Sequence, residues 1–310
     1  MPSSAADVPP DQTVAHAADS RARRRAAAGL AVLALIWGYN WVIMKRVTAY
    51  AGPFDFAALR MAIGTLVLFA VLIATGRTLR LPSWRGALIL GLSQTAGFTG
   101  LAQWALVAGG AGKTAVLAYT MPFWVLLLAW PILGERVRGT RWIPVILSGL
   151  GLVLVLEPWH LQGTLVSGVL AVASGLVWAA GAVLIKRVER HRPPDLLALT
   201  AWQMALGTVL LGVVTLAVPQ RPIEWNAYFV VALAYIGVAG TALGWLLWIY
   251  VLRRLPAGTA SLGILSVPVI GVLAAAIELG ERPSGPELAG MLAIGAALGW
   301  LGAQSLGRGR

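Results

Sequence analysis

Apolar residues run in long blocks along this chain, at about 26–44, 54–75, 86–109, 113–133, 139–157, 162–185, 196–218, 225–252, 257–278 and 286–307. A helix needs roughly 20 such residues to cross about 30 Å of hydrocarbon, so the pattern predicts ten transmembrane helices. Arg60 interrupts the second block and the fifth is short. The connections are brief and punctuated by Gly and Pro, as at Gly52-Pro53, Pro193-Pro194 and Pro283, leaving no room for a soluble domain. The fold expected is an all-α integral membrane protein in one polytopic bundle. Residues 1–25 lack an apolar face and are expected to be a disordered, basic tail, with residues 308–310 as a short C-terminus.

The blocks repeat. Gly112, Met121-Pro122-Phe123 and Gly134-Glu135-Arg136 return 146 residues later as Gly258, Val267-Pro268-Val269 and Gly280-Glu281-Arg282. Trp37 and Lys45-Arg46 return as Trp178 and Lys186-Arg187 at an offset of 141, and Met61-Ala62 as Met204-Ala205 at 143. The drift fits a few loop residues. Two halves follow, residues 26–157 and 158–307, each with five spans. Because five is odd, the second half must enter the membrane from the other side, which makes the repeats inverted, an arrangement many secondary transporters use for alternating access. Duplication without alternating access, as in a channel, is the other reading. Pro122 and Pro268 fall inside the fourth and ninth blocks, where a proline costs about 3 kcal/mol in a helix interior. They are expected to bend these helices, serving as hinges or freeing the carbonyls of Ala118 and Ile264 as cavity acceptors.

Composition agrees: 58% of residues are hydrophobic, the mean hydropathy is +0.79 and only 12% are charged, about half the ~25% of soluble domains. The net charge of +12 does not imply nucleic acid, because its placement is one-sided. Eighteen Lys and Arg fall in the termini and alternate loops on one side, and five (Lys45, Arg46, Lys113, Arg221, Arg282) on the other. By the positive-inside rule both termini are cytoplasmic. Arg21, Arg23, Arg24 and Arg25 precede the first block as in a signal peptide, but 19 uncharged residues are long for one and further spans follow. There is no cysteine, and His16, His160 and His191 lie outside the apolar blocks. No catalytic set, metal site or cofactor is expected, and the chain does not read as an enzyme.

Polar and aromatic residues at mid-span depth point to cargo, because buried amides and hydroxyls in hydrocarbon are costly unless paired or wet. The substrate-binding candidates are Trp37, Asn40, Gln94, Tyr119, Trp178, Trp245 and Ser266. No carboxylate sits at mid-depth, which favours neutral or zwitterionic cargo with an aromatic or aliphatic body. Gly109-Gly110-Ala111-Gly112-Lys113-Thr114 resembles a phosphate-binding loop, but Val107 stands where that pattern needs glycine and no strand precedes it. Glu135-Arg136 and Glu281-Arg282 read as anchors at the water boundary, and Glu278 as an interfacial acid. Arg60 is expected near the outer end of its span with its head snorkelling to water, a carboxylate-binding role being the alternative.

Ten spans, a five-plus-five duplication, Trp37 and Trp178 in the first helix of each half, Pro122 and Pro268 in the fourth and ninth spans, and Gly-Glu-Arg closing both resemble the drug/metabolite transporter superfamily, EamA type. The resemblance covers residues 26 to 307 and is similar to that of bacterial aromatic amino acid exporters. It implies an inner-membrane exporter of amino acids or related metabolites, with a small-molecule substrate and the lipid bilayer as partners and a monomer as the simplest assembly. A multidrug exporter of lipophilic cations and a passive facilitator remain as alternatives.

Overall fold

The structure is a computed structural model describing residues 10–134, 139–157, 164–188, 195–254, 264 and 266–306. Among the described residues it is all helical, in ten stretches. These are α1 (Pro10–Val47), α2 (Pro53–Ala74), α3 (residues 84–108), α4 (Ala111–Leu133), α5 (Trp142–Leu156), α6 (Thr164–Val188), α7 (Leu196–Ala217), α8 (residues 227–254), α9 (Ser266–Glu278) and α10 (Gly285–Leu306). Six of them, α1, α2, α4, α6, α7 and α8, are long and apolar enough to cross a membrane by length and composition. The caps follow from sequence. Ser83, Asp195 and Asn226 accept the amides of Gly86, Leu197 and Phe229. Ser284 and Glu287 form a reciprocal capping box at the start of α10, at 3.0 and 3.1 Å.

Residues 10–25, expected to be a disordered tail, instead extend α1 back to Pro10. Proline suits a first helical position, and the stretch after it is rich in alanine and free of glycine up to Gly29. Gly134 and Gly280, the glycines of the two Gly-Glu-Arg repeats, both take left-handed φ, at 75° and 65°. Gly134 is the C-cap of α4, so its conservation across the duplication has a backbone cause: a side chain is strained at that φ. Glu135-Arg136 and Gly258 lie outside the described residues.

The halves pack by exchange. α1 lies against α9 as α6 lies against α4; α2 lies against α8 as α7 lies against α3. α2 and α7 pack on each other, and so do α5 and α10. Thr65 and Thr208, equivalent at the offset of 143, meet hydroxyl to hydroxyl at 3.4 Å. At the α5–α10 crossing, a Cβ on Gly290 would come within 2.5 Å of the Gly151 carbonyl, a close approach that suits helices in lipid. The contact between α2 and α7 therefore joins equivalent positions of the two halves.

Two further features obey the duplication. In α3 and α8 the middle of the helix widens to π geometry, over Gly91–Phe98 and Ile236–Leu243, eight residues each at an offset of 145. Such widened turns are rare and cluster at functional sites.

Candidate functional site

The side chains that α1, α2, α3, α4, α6, α7 and α8 turn inward enclose a cavity of about 90 Å³, room for several waters at roughly 10–15 Å³ each. Six of the seven sequence candidates line it: Trp37 and Asn40 from α1, Gln94 from α3, Tyr119 from α4, Trp178 from α6 and Trp245 from α8. Ser266 does not. It starts α9 away from the cavity wall.

Two aromatic walls line the cavity, each built from both halves. Trp37 donates from Nε1 to the Gly240 carbonyl at 2.9 Å, in the widened turn of α8, and stands edge-on to Trp245 with ring centres 6.1 Å apart. A Cβ on Gly244 would meet Trp37 Nε1 at 2.3 Å, so only glycine lets the indole lie this close. Trp178 packs on Phe98 of the widened turn of α3 at 4.7 Å and edge-on to Tyr119 at 6.3 Å. Both walls therefore join the first helix of one half to the widened helix that carries the cavity's small polar groups. Aromatic pairs of this kind add about 0.5–1.5 kcal/mol beyond burial and present flat apolar faces.

Pro122 does not bend a continuous helix. α4 is two segments, Ala111–Ala118 and Met121–Leu133, separated at Tyr119 and Thr120, and Pro122 sits in the first turn of the second, where a missing N–H costs nothing. Thr120 Oγ1 donates back to the Leu117 carbonyl at 2.6 Å and accepts Trp124 Nε1 at 3.1 Å, which fixes the break. The Ala118 carbonyl, expected as a cavity acceptor, instead faces α6: a Cβ on Gly175 would lie 2.6 Å from it. Pro268 likewise occupies the first turn of α9 and is buried.

Arg60 is placed differently from its expected snorkelling position. It lies on the buried stripe Phe56, Arg60, Gly64, Leu68 and Leu72 of α2, whereas Leu66 and Ile73 face outward at 70% and 64% exposure. Arg60 is 6% exposed and lines the cavity. Its NH1 reaches Met44 Sδ at 3.5 Å and its Nε has no partner. The spacing of four along α2 was the signal available for this, because i, i+4 positions share a face. Met44, Met61, Thr95, Phe98 and Met204 also line the cavity. Met61 and Met204 occupy matched positions of the duplication, a sign of shared role that the sequence reading used only for alignment.

At one end of the bundle the halves are tied together. Glu281 accepts the amides of Ala111 and Gly112 at 2.6 and 3.0 Å, Lys113 pairs with Glu287 at 2.6 Å and Arg46 with Glu278 at 2.9 Å. Glu281 thus fills the anion position of the phosphate-loop-like turn with its own carboxylate, at a helix N-terminus that favours negative charge. A second cavity of about 200 Å³ lies here, lined by Lys113, Glu281 and Glu287. Arg282 lines it too, at its exposed rim, while Lys113, Glu281 and Glu287 already hold partners; the aromatic cavity instead buries polar atoms without them, so the smaller cavity is the candidate site. At the opposite end a single ion pair among the described residues crosses between halves, Arg77 to Asp195 at 3.4 Å.

Among the described residues no group of three His, Cys, Asp or Glu side chains is placed to hold a metal. Comparison with known proteins adds identity to this geometry. An uncharacterized transporter, YvbV of Bacillus subtilis, is 30% identical over 275 residues, covering 88% of this chain and 90% of its own. YoaV of the same organism is 28% identical over 262 residues, 82% and 88% of the two chains. A protein of Salmonella typhimurium named a probable amino-acid metabolite efflux pump is 26% identical over 279 residues, 86% and 91%. One crystal structure shares the fold with a TM-score of 0.63 at 22% identity, covering 90% of this chain and 98% of the other. The model of the EamA-like transporter family matches twice, over residues 25–157 and again over 166–302. With the match falling once in each half of the bundle, the chain belongs to the EamA-like transporter family.

Proposed function

We propose that this protein exports amino acids, aromatic or large apolar ones foremost, or related small metabolites, across a bacterial inner membrane. Two five-helix halves of inverted orientation alternate access around the aromatic cavity, with both termini in the cytoplasm. The observation that carries this reading is the cavity itself. Trp37 and Trp245 form one wall and Trp178 and Tyr119 the other, and Asn40 and Gln94 add side-chain amides to the same lining. Relatives named as probable amino-acid metabolite efflux pumps support the cargo class.

Pro122 keeps α4 segmented, so that it can pivot at its break, and Pro268 stands in the first turn of α9 as its counterpart. The end tied by Glu281, Lys113 and Arg46 is then the periplasmic end. Purified protein in liposomes should exchange labelled Phe or Trp, and Trp37→Ala with Trp178→Ala should lower that exchange at least several-fold. Flux of neither amino acid, with cationic dyes moving instead, would replace this reading with drug export.

A further inference from the structure

The cavity holds an arginine whose charge nothing among the described residues answers. Arg60 is 6% exposed, and among the described residues it has no ion pair; its Nε is unpartnered and NH1 meets only a thioether at 3.5 Å, a weak acceptor. No Asp or Glu lines the cavity. Asp55, the nearest acid on the same helix, stands five residues back, about 140° around the axis at 100° per residue, and so points to another face. A guanidinium is protonated at any physiological pH, and its rigid fork suits a carboxylate in two-point contact. In a membrane-embedded bundle such a charge is costly until an anion reaches it.

A second unpartnered atom lies in the same cavity. Asn40 is 5% exposed and its Oδ1 has no donor. Asn40 and Met44 are one turn apart on α1, and Met44 Sδ is the atom that touches Arg60. The two unanswered groups, a cation from α2 and a carbonyl acceptor from α1, thus line the same cavity, with Met44 beside both. Together they complement the carboxylate and ammonium of one α-amino-acid head group. The duplication does not repeat the charge, because the position matching Arg60 at an offset of 143 is Gln203. The cavity thus has one polar pole, in the first half, with the aromatic walls beside it.

We propose that Arg60 binds the carboxylate of the cargo and that the Asn40 side-chain carbonyl accepts from its α-ammonium. The cargo class is then carboxylates, α-amino acids first and simple monocarboxylates second, and amines lacking a carboxylate are rejected by like charge. This inference rests on the reading of the cavity as the transport site.

The experiment crosses head group with body. Purified full-length protein in lipid nanodiscs is heated with three series: phenylalanine, 3-phenylpropionate and phenethylamine; tryptophan, indole-3-propionate and tryptamine; leucine, 4-methylpentanoate and isoamylamine. Binding to the folded state raises the melting temperature in proportion to occupancy. Acids and amino acids should raise it and amines should not. Arg60→Met should melt no lower than the native protein when empty, since it removes an unanswered charge, and should bind every carboxylate about tenfold more weakly or worse. Arg60→Lys should retain part of the response, and Asn40→Ala should erase the preference for an amino acid over its desamino acid. Amines that match their amino acids overturn the inference and leave the aromatic reading intact. Carboxylates that respond equally with phenyl, indole and branched aliphatic bodies uphold Arg60 and overturn the aromatic preference instead. A panel in which no carboxylate responds, or Arg60→Met binding within threefold of native, also overturns it. The native-protein panel decides even if the methionine variant fails to fold.

Discussion

Gly240 stands where the widened turn of α8 meets both Trp37 and Asn40. Its carbonyl accepts the Trp37 indole, and a Cβ there would lie 2.5 Å from Asn40 Nδ2 and 2.9 Å from Oδ1. Gly240→Ala therefore forces the buried Asn40 amide off its place, at the roughly 1–3 kcal/mol typical of overpacking. We expect a stably folded protein whose apparent KM for amino acids rises several-fold; an unchanged KM would show that Asn40 has no hand in binding. At this scale the sequence was a good guide wherever depth alone decided the matter. Trp37, Asn40, Gln94, Tyr119, Trp178 and Trp245 are deep and inward, and all six reach one cavity. Depth does not tell which way a helix faces, and Ser266 begins α9 outside the lining of this cavity. Arg60 was assigned to water because arginine usually snorkels, although its i, i+4 neighbours Phe56 and Gly64 marked the buried face.

The broken α4 and the widened α3 and α8 show what hydropathy leaves unread at the level of elements. The proline marks the break, but only the structure shows that the chain stops at Tyr119 and restarts, rather than bending through Pro122. Nothing in Gly91–Phe98 or Ile236–Leu243 announces π geometry, since a one-residue change in hydrogen-bond register leaves the apolar pattern nearly intact. An alanine at 122 regains helix propensity worth up to about 3 kcal/mol if the two segments of α4 fuse, and one at 268 restores an N–H in the first turn of α9. Pro122→Ala with Pro268→Ala should then melt no lower than the native protein and transport several-fold more slowly. Native flux would remove the prolines from the mechanism. The Glu281 tie makes a second prediction. Each hydrogen bond to a charged group is worth about 1.5–3 kcal/mol, so Glu281→Ala should shift the balance between closed and open ends about tenfold or more. A cysteine placed at buried Ala115, in the seam where α4 meets Gly271 of α9, should become reactive to an impermeant thiol reagent in that variant. If Ala115→Cys stays as protected as before, Glu281 is an anchor alone.

For the molecule as a whole, the duplication was legible because its landmarks are chemically costly residues, proline, glycine and tryptophan, that drift little in position. The structure adds the exchange of partners between halves, which no offset could supply. Orientation depends on charge: eighteen basic residues on one side against five on the other, a bias that sets which loops stay cytoplasmic. The cysteine-free chain makes this testable with single introduced thiols. Gly112 is a poor site, because a Cβ there would meet the Val272 Cα at 3.2 Å, whereas Gly285 at the start of α10 has nothing within 4 Å and is exposed. Thr78, exposed between α2 and α3, serves the opposite end. On intact cells an impermeant maleimide should label Gly285→Cys and spare Thr78→Cys, with both labelled after permeabilisation. The reverse pattern would place the end tied by Glu281 in the cytoplasm, and the tied face would then be the one that loads cargo rather than the one that releases it.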